Sequence, residues 1–180
     1  MCLGSGYDEQ VSQEREICEV CGFEWDAITP DEIAPRIIDA MSQSSERIAR
    51  NQKRSLDHLD QNRWSALEYG CHMRDVLYNL RDKIILITVE ENPASLPLYG
   101  IPRVELGLYK NDKPEVLALE MRLAGELFAR TFLALPEASY ERVFLYRYPR
   151  ETMRNLKWVA AQALHECEHH AEDIRELLET

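Results

Sequence analysis

Four stretches of this chain repeat apolar residues at intervals of three and four, the period of a helix with one buried face. In the first, Ile33, Ile37, Met41, Ser44 and Ile48 share a side of a segment predicted to run from Thr29 to about His58. Its start reads Thr29-Pro30-Asp31-Glu32: a capping threonine, proline at the first helical position and glutamate three residues on. Pro35 is expected to move that start later or to kink the first turn. The charged run Arg47 to Asp57 is expected to face solvent. The second helix is predicted from Trp64-Ser65 to about Glu90, with Leu67, Tyr69, Met73, Val76, Leu77, Leu80, Ile84 and Ile87 as a broad apolar face that includes His72. Residues 91–112 contain Pro93, Pro97, Gly100, Pro102 and Gly107, which marks a long connection. Its Leu98, Tyr99, Ile101, Leu106 and Tyr109 suggest that it packs over one mouth of the molecule. The third helix is predicted to be capped by Asp112 and to stop before Pro136, with Val116, Leu119, Leu123, Leu127, Thr131 and Leu135 at helical spacing. Tyr140 to Pro149 alternates and is aromatic, as expected of a short extended segment lining a pocket, and a fourth helix is predicted from about Arg150 to the end. The expectation is an all-α four-helix bundle over residues 29–180, preceded by an N-terminal arm, residues 1–28.

The fourth helix carries the unusual chemistry. Leu156, Ala160, Ala163, Cys167, His170, Ile174 and Leu177 follow a 4-3-4-3-4-3 spacing, the buried seam of a bundle helix. His170 lies on that seam and Glu166, one turn earlier, at its edge. His165 and His169 fall on another row with Trp158, Gln162 and Glu172, so they are expected on a flank or rim. Burying an unpaired carboxylate or imidazole costs several kcal/mol, and a divalent cation would satisfy both Glu166 and His170. Alone, His72 reads as a satisfied core histidine. Beside Glu166 and His170 it completes three ligands from two helices, which describes an open, catalytic zinc site. Nickel, iron and manganese suit the same ligand types. Arg74 and Asp75 follow His72, either to orient ligands or as a helix-surface ion pair. His165-Glu166-Cys167-Glu168-His169 also matches His-Glu-x-x-His, in which His165 and His169 would ligate and Glu166 would act as base. The inward seam, the missing third ligand and the absence of a protease-type sheet weigh against that alternative.

Composition narrows the partners. A net charge of -11 argues against nucleic acid and against an anionic membrane surface. No stretch is apolar for long enough to span a bilayer, and Met1 to Gln10 is polar and acidic, so a cytoplasmic location is expected. Five cysteines, an odd number, do not suggest a disulfide framework. Cys18-Glu19-Val20-Cys21-Gly22 is half of a zinc knuckle or a redox pair. No second half is apparent, since Cys71 and Cys167 sit alone on helices and only Cys2 is spare. Phe23 and Trp25 are expected to pin the arm to the bundle.

With these motifs the chain resembles the DinB/YfiT-like superfamily of metal-binding four-helix bundles over roughly residues 30–178. The matching pieces are the inward histidine in Leu67-Glu68-Tyr69-Gly70-Cys71-His72-Met73-Arg74-Asp75-Val76 and the last-helix motif. Many members carry His-x-x-x-His there. The mycothiol-dependent branch, with maleylpyruvate isomerase in it, carries Glu-x-x-x-His followed by Ala-x-Asp, as in Glu166 to Asp173 here. The resemblance implies His72, Glu166 and His170 as metal ligands, with Arg74, Asp75 and Asp173 placed to orient them. It also implies a thiol S-transferase or isomerase that uses zinc and mycothiol or another small thiol on a small electrophile. A hydrolase that uses water and a non-catalytic metal-binding bundle are the alternatives. Members often form dimers, which leaves a homodimer open. The Cys18-Cys21 arm and the His165/His169 pair depart from the common pattern.

Overall fold

At Thr29 the main-chain amide and the hydroxyl both donate to the Glu32 carboxylate, at 2.9 and 2.6 Å. They close the first turn of α1 (Pro30–Arg50), which runs through Pro35. The computed structural model describes residues 16–60, 63–148 and 150–179, so the first fifteen residues of the expected arm, Cys2 among them, lie outside it. α1 ends eight residues before the predicted limit at His58. Its apolar repeat stops at Ile48, and Leu56 is half exposed, so no buried face pays for further turns. Asn51 caps the end through its amide and side chain on the Arg47 carbonyl.

α2 (Ala66–Val89) begins at a reciprocal capping box between Ser65 and Glu68, close to where it was predicted. Its far end is held by Arg142, whose guanidinium donates to the Ile87 and Glu90 carbonyls at 2.6 Å each. A cation there also complements the helix dipole. Residues 91–112 form a connection as expected, but one with a short helix of its own, α3 (Gly100–Glu105).

α4 (Pro114–Leu133) departs from the sequence reading in two ways. Lys113, not Asp112, occupies the capping position, and Asp112 instead accepts from the Cys71 thiol at 3.4 Å. The buried face is also a different one. Leu117, Ala118, Met121, Ala124, Gly125, Phe128, Ala129 and Phe132 are buried, whereas Val116, Leu119 and Leu123 are about half exposed.

Val143–Tyr146 is extended as expected and forms β1, but its antiparallel partner β2 (Thr152–Asn155), in register Val143↔Asn155, takes up residues predicted to open the last helix. Asn155 Oδ1 then accepts the Trp158 amide at 2.9 Å and starts α5 (Leu156–Glu179). The helices α1 and α2 each pack on both α4 and α5, which puts α1 and α2 across a diagonal of the bundle. Ile33, Ile37, Met41, Met73, Ile84, Phe128, Val159 and Cys167 fill the shared core, all fully buried. Among the described residues no helix is long and apolar enough to cross a membrane.

Candidate metal centre

The seam of α5 carries Glu166 and His170 inward, and His72 reaches them from α2. His72 Nε2 lies 3.2 Å from Glu166 Oε2, and His170 Nε2 lies 3.5 Å from the same oxygen. One donor atom from each of the three sits within 4.8 Å of the others. The carboxylate is held from behind by Gln162 Nε2, which donates to Oε1 at 2.7 Å. His170 Nδ1 pairs with Asp173 Oδ2 at 2.9 Å, and Asp173 also accepts from Arg63 at 2.9 Å. A ring held through Nδ1 in this way presents Nε2 to a ligand.

The charges answer to this geometry. Burial would raise the Glu166 pKa, but the hydrogen bonds from His170 and His72 outweigh it and hold the carboxyl well below its usual range. Burial would lower that of His170, but Asp173 and Glu166 raise it to about 9. His72 is wedged between the Trp64 ring at 5.2 Å and the backbone of Gly100, where an added Cβ would stand 2.7 Å from its Cε1. Its Nδ1 is buried without a partner.

The three side chains form part of the wall of a cavity of about 550 Å³. The connection closes it as expected through Leu98, Tyr99 and Ile101, and the hairpin contributes Tyr146 and Tyr148. Lys83 also lines it, buried under the Tyr146 ring with Nζ 5.2 Å from the centroid, and burial pulls its pKa down to about 8. Arg74 and Asp75 serve another purpose. Asp75 accepts from Arg103 at 2.7 Å and from Tyr109 at 2.9 Å, and Arg74 pairs with Glu120, so they fasten the connection and α4 to α2.

The remaining candidates meet elsewhere. His165, expected on a rim, is enclosed by the arm, with its ring 5.1 Å from Phe23 and 4.6 Å from Trp25. Donor atoms of Cys18, Cys21, His165 and His169 all lie within 4.8 Å of one another, and Cys18 Sγ is 3.9 Å from His169 Nδ1. His169, His170 and Asp173 form a third such group. Two residues of the site were not singled out in the sequence, although a signal existed for both. Gln162 stands one turn before Glu166, and Lys83 interrupts the apolar face of α2 beside Leu80 and Ile84.

No family profile and no curated protein matches this chain. Solved structures do share its architecture. YfiT from Bacillus subtilis, described as a probable metal-dependent hydrolase with an unusual four-helix bundle topology, has a TM-score of 0.75 at 16% identity, over 84% of this chain and 89% of its own. A mutant of mycothiol-dependent maleylpyruvate isomerase has a TM-score of 0.67 at 12% identity, over 83% of this chain and 62% of that longer protein. At such identities the likeness speaks for the fold, and the fold of this chain is the YfiT-like four-helix bundle that its motifs resemble.

Proposed function

We propose that the protein is a metal-dependent enzyme that activates a small thiol of the mycothiol type for attack on an electrophile held in the cavity. The supporting observation is the meeting of His72 Nε2, Glu166 Oε2 and His170 Nε2 in the cavity wall. Two imidazoles and a carboxylate suit a divalent cation, zinc first and nickel, iron or manganese by the same ligand types. When bound, such an ion supplies the Lewis acidity that brings a coordinated thiol or water toward a neutral pKa.

The chain's own side chains do the rest. Asp173 fixes the orientation of the His170 ring, and Gln162 holds the Glu166 carboxylate in place. Trp64, Leu98, Tyr99 and Tyr146 give the electrophile a largely apolar wall to pack against. Lys83 offers an ammonium to an anionic substituent on it. The attacking sulfur has to be brought in. Cys71 and Cys167 are fully buried and burial pushes both thiols up, which leaves them inert.

A second reading, hydrolysis with water as nucleophile, draws support from the larger overlap with YfiT. The test is to incubate metal-loaded protein with mycothiol and a small electrophile and to follow the conjugate by mass spectrometry. Conjugate that requires both the thiol and His170 supports the transferase. Product formed equally without thiol moves the assignment to a hydrolase, and a metal content in both His72→Ala and His170→Ala that equals wild type refutes the ligand set.

A further inference from the structure

The cluster formed by Cys18, Cys21, His165 and His169 lies outside the cavity lining and outside the ligand set proposed above. We infer that these four side chains form a second, structural metal site, a Cys2His2 zinc clamp that fastens the N-terminal arm to α5.

The cysteine half is preformed. Ile17 and Glu24 pair across a tight turn, the Cys18 amide donates to the Phe23 carbonyl, and the Gly22 amide donates to the Cys18 carbonyl, both at 2.8 Å. Gly22 has φ +74°, a conformation that glycine adopts without steric cost. This turn brings Cys18 and Cys21 to one side with both thiols free, Cys18 partly buried and Cys21 exposed. The histidine half comes from α5, where a spacing of four puts His165 and His169 on one face, their rings 5.2 Å apart. Together the spacings are Cys-x2-Cys and His-x3-His, those of tetrahedral Cys2His2 sites. The two halves lie near opposite ends of the chain and meet only when the arm docks.

The observation that asks for a cation is His165. Both ring nitrogens are buried and have no hydrogen-bond partner, between Phe23 and Trp25. A buried polar group left without a partner is destabilising, and a disulfide between Cys18 and Cys21 would leave this cost in place. A cation at the centre of the four takes up a ring nitrogen of His165 and one of His169. Two thiolates also balance the charge of Zn²⁺, which suits a site bordered on its His165 side by the Phe23 and Trp25 rings. Binding releases the two thiol protons, with no change of oxidation state at any atom.

The arm is already placed for this by Glu16, which pairs with Arg154 at 2.7 Å and accepts from Trp158 Nε1 at 3.0 Å. The metal would add a covalent-strength tie at the next turn. His165 and His169 alternate with Glu166 and His170 on the same two turns of α5, so the clamp would fix the helix that carries the proposed ligands of the cavity.

The experiment is metal analysis and cobalt spectroscopy on the full-length protein, purified under reducing conditions. The expected result is two zinc equivalents per chain, and in the cobalt-loaded protein a near-ultraviolet thiolate charge-transfer band with tetrahedral visible bands. Cys18→Ser, Cys21→Ser and His169→Ala should each lose one equivalent and the charge-transfer band. His72→Ala should lose the other equivalent and keep the band. Should the serine variants fail to fold, the wild-type cobalt spectrum still decides. Absence of a thiolate band from cobalt-loaded wild type overturns the proposal, as does a Cys18–Cys21 disulfide in metal-free protein that retains wild-type stability.

Discussion

Gln162 and Glu166, one turn apart on α5, are joined by a 2.7 Å hydrogen bond from the glutamine amide to the carboxylate. The same glutamine accepts from Trp25 Nε1 at 2.8 Å, so a residue of the arm is linked through one side chain to the candidate metal centre. Replacing Gln162 with Leu keeps the volume, frees one carboxylate oxygen and strands a buried indole donor. The expected outcome is a 10- to 100-fold loss of metal affinity, the usual cost of removing a group that orients a ligand. Trp25→Phe should leave Gln162 in place and weaken binding far less. Zinc titration of the two variants checks this, and equal effects would mean that packing rather than the hydrogen bond is what matters.

Gly100 is the second point of control over a ligand. An Ala side chain there would place its Cβ 2.7 Å from His72 Cε1 and 2.8 Å from Nδ1. That ring cannot retreat far, with Trp64 on one side and Glu166 on another. Gly100→Ala should therefore turn His72 away from Glu166 and lower metal occupancy at the cavity, with helical content unchanged. Metal affinity equal to wild type would show that α3 yields instead.

The carboxylate–imidazole couple predicts a pH profile for metal-stripped protein. His170 has a folded pKa raised from 6.5 to about 9, so its contribution is complete below pH 6.5 and is lost as pH rises through about 9. Glu166 is depressed from 4.5, so its contribution is complete above pH 4.5 and is lost as pH falls below it. Through this pair, stripped protein should be most stable between these limits, and Tm should fall from pH 6.5 toward 9. His170→Gln should flatten that upper limb. Metal uptake needs the neutral ring, so the stabilisation conferred by zinc should grow over the same interval. Thermal melts of stripped and loaded protein across pH 4–10 measure both.

Lys83 has the opposite sign. Its pKa is lowered from 10.5 to about 8 by burial, so between those values the unfolded chain binds more protons and stability rises with pH. Below pH 8 the buried ammonium carries its full cost. Lys83→Met should raise Tm at pH 7 by a few degrees, at roughly 2–4 °C per kcal/mol for a chain of this size, and the gain should shrink toward pH 10.5. The same change should raise KM for an electrophile bearing a carboxylate while leaving a neutral one unaffected. A lower Tm at pH 7 would mean that the ammonium has a stabilising partner.

How much of this could be read beforehand depends on the range of the interaction concerned. The meeting of His72, Glu166 and His170 follows from local periodicity: once α2 and α5 bury their apolar faces, the three side chains have nowhere else to point. The capping boxes at Thr29 and Ser65 are local too. The environment of His165 is not, because the Phe23 and Trp25 rings that cover it come from a segment nearly the whole chain away. The partners of Cys18 and Cys21 were hidden for the same reason. The start of α5 was misread because helical spacing does not distinguish a first turn from a short strand whose partner, Val143–Tyr146, precedes it by only a few residues.

The same logic explains the face of α4 and gives a last test. Two apolar stripes run along this helix, one through Val116, Leu119 and Leu123, the other through Leu117, Met121, Phe128 and Phe132. Continued through Leu127 and Leu135, the first stripe carries more large aliphatic residues, but a bundle interior also needs close approach, and only the second stripe has small residues beside it. Gly125 is so near Met41 that an added Cβ would lie 3.2 Å from its Cβ and Cγ, and Ala118, Ala124 and Ala129 flank the same surface. Phe128→Ala should then cost about 3–5 kcal/mol, as for a fully buried aromatic, while Leu119→Lys combined with Leu123→Glu should stay within about 0.5 kcal/mol of wild type per site. Chemical denaturation of the two variants decides the question. Large destabilisation by the surface pair with tolerance at Phe128 would mean that α4 is rotated by about a quarter turn or more from its place here, and a rotation that large would also carry Glu120 away from Arg74.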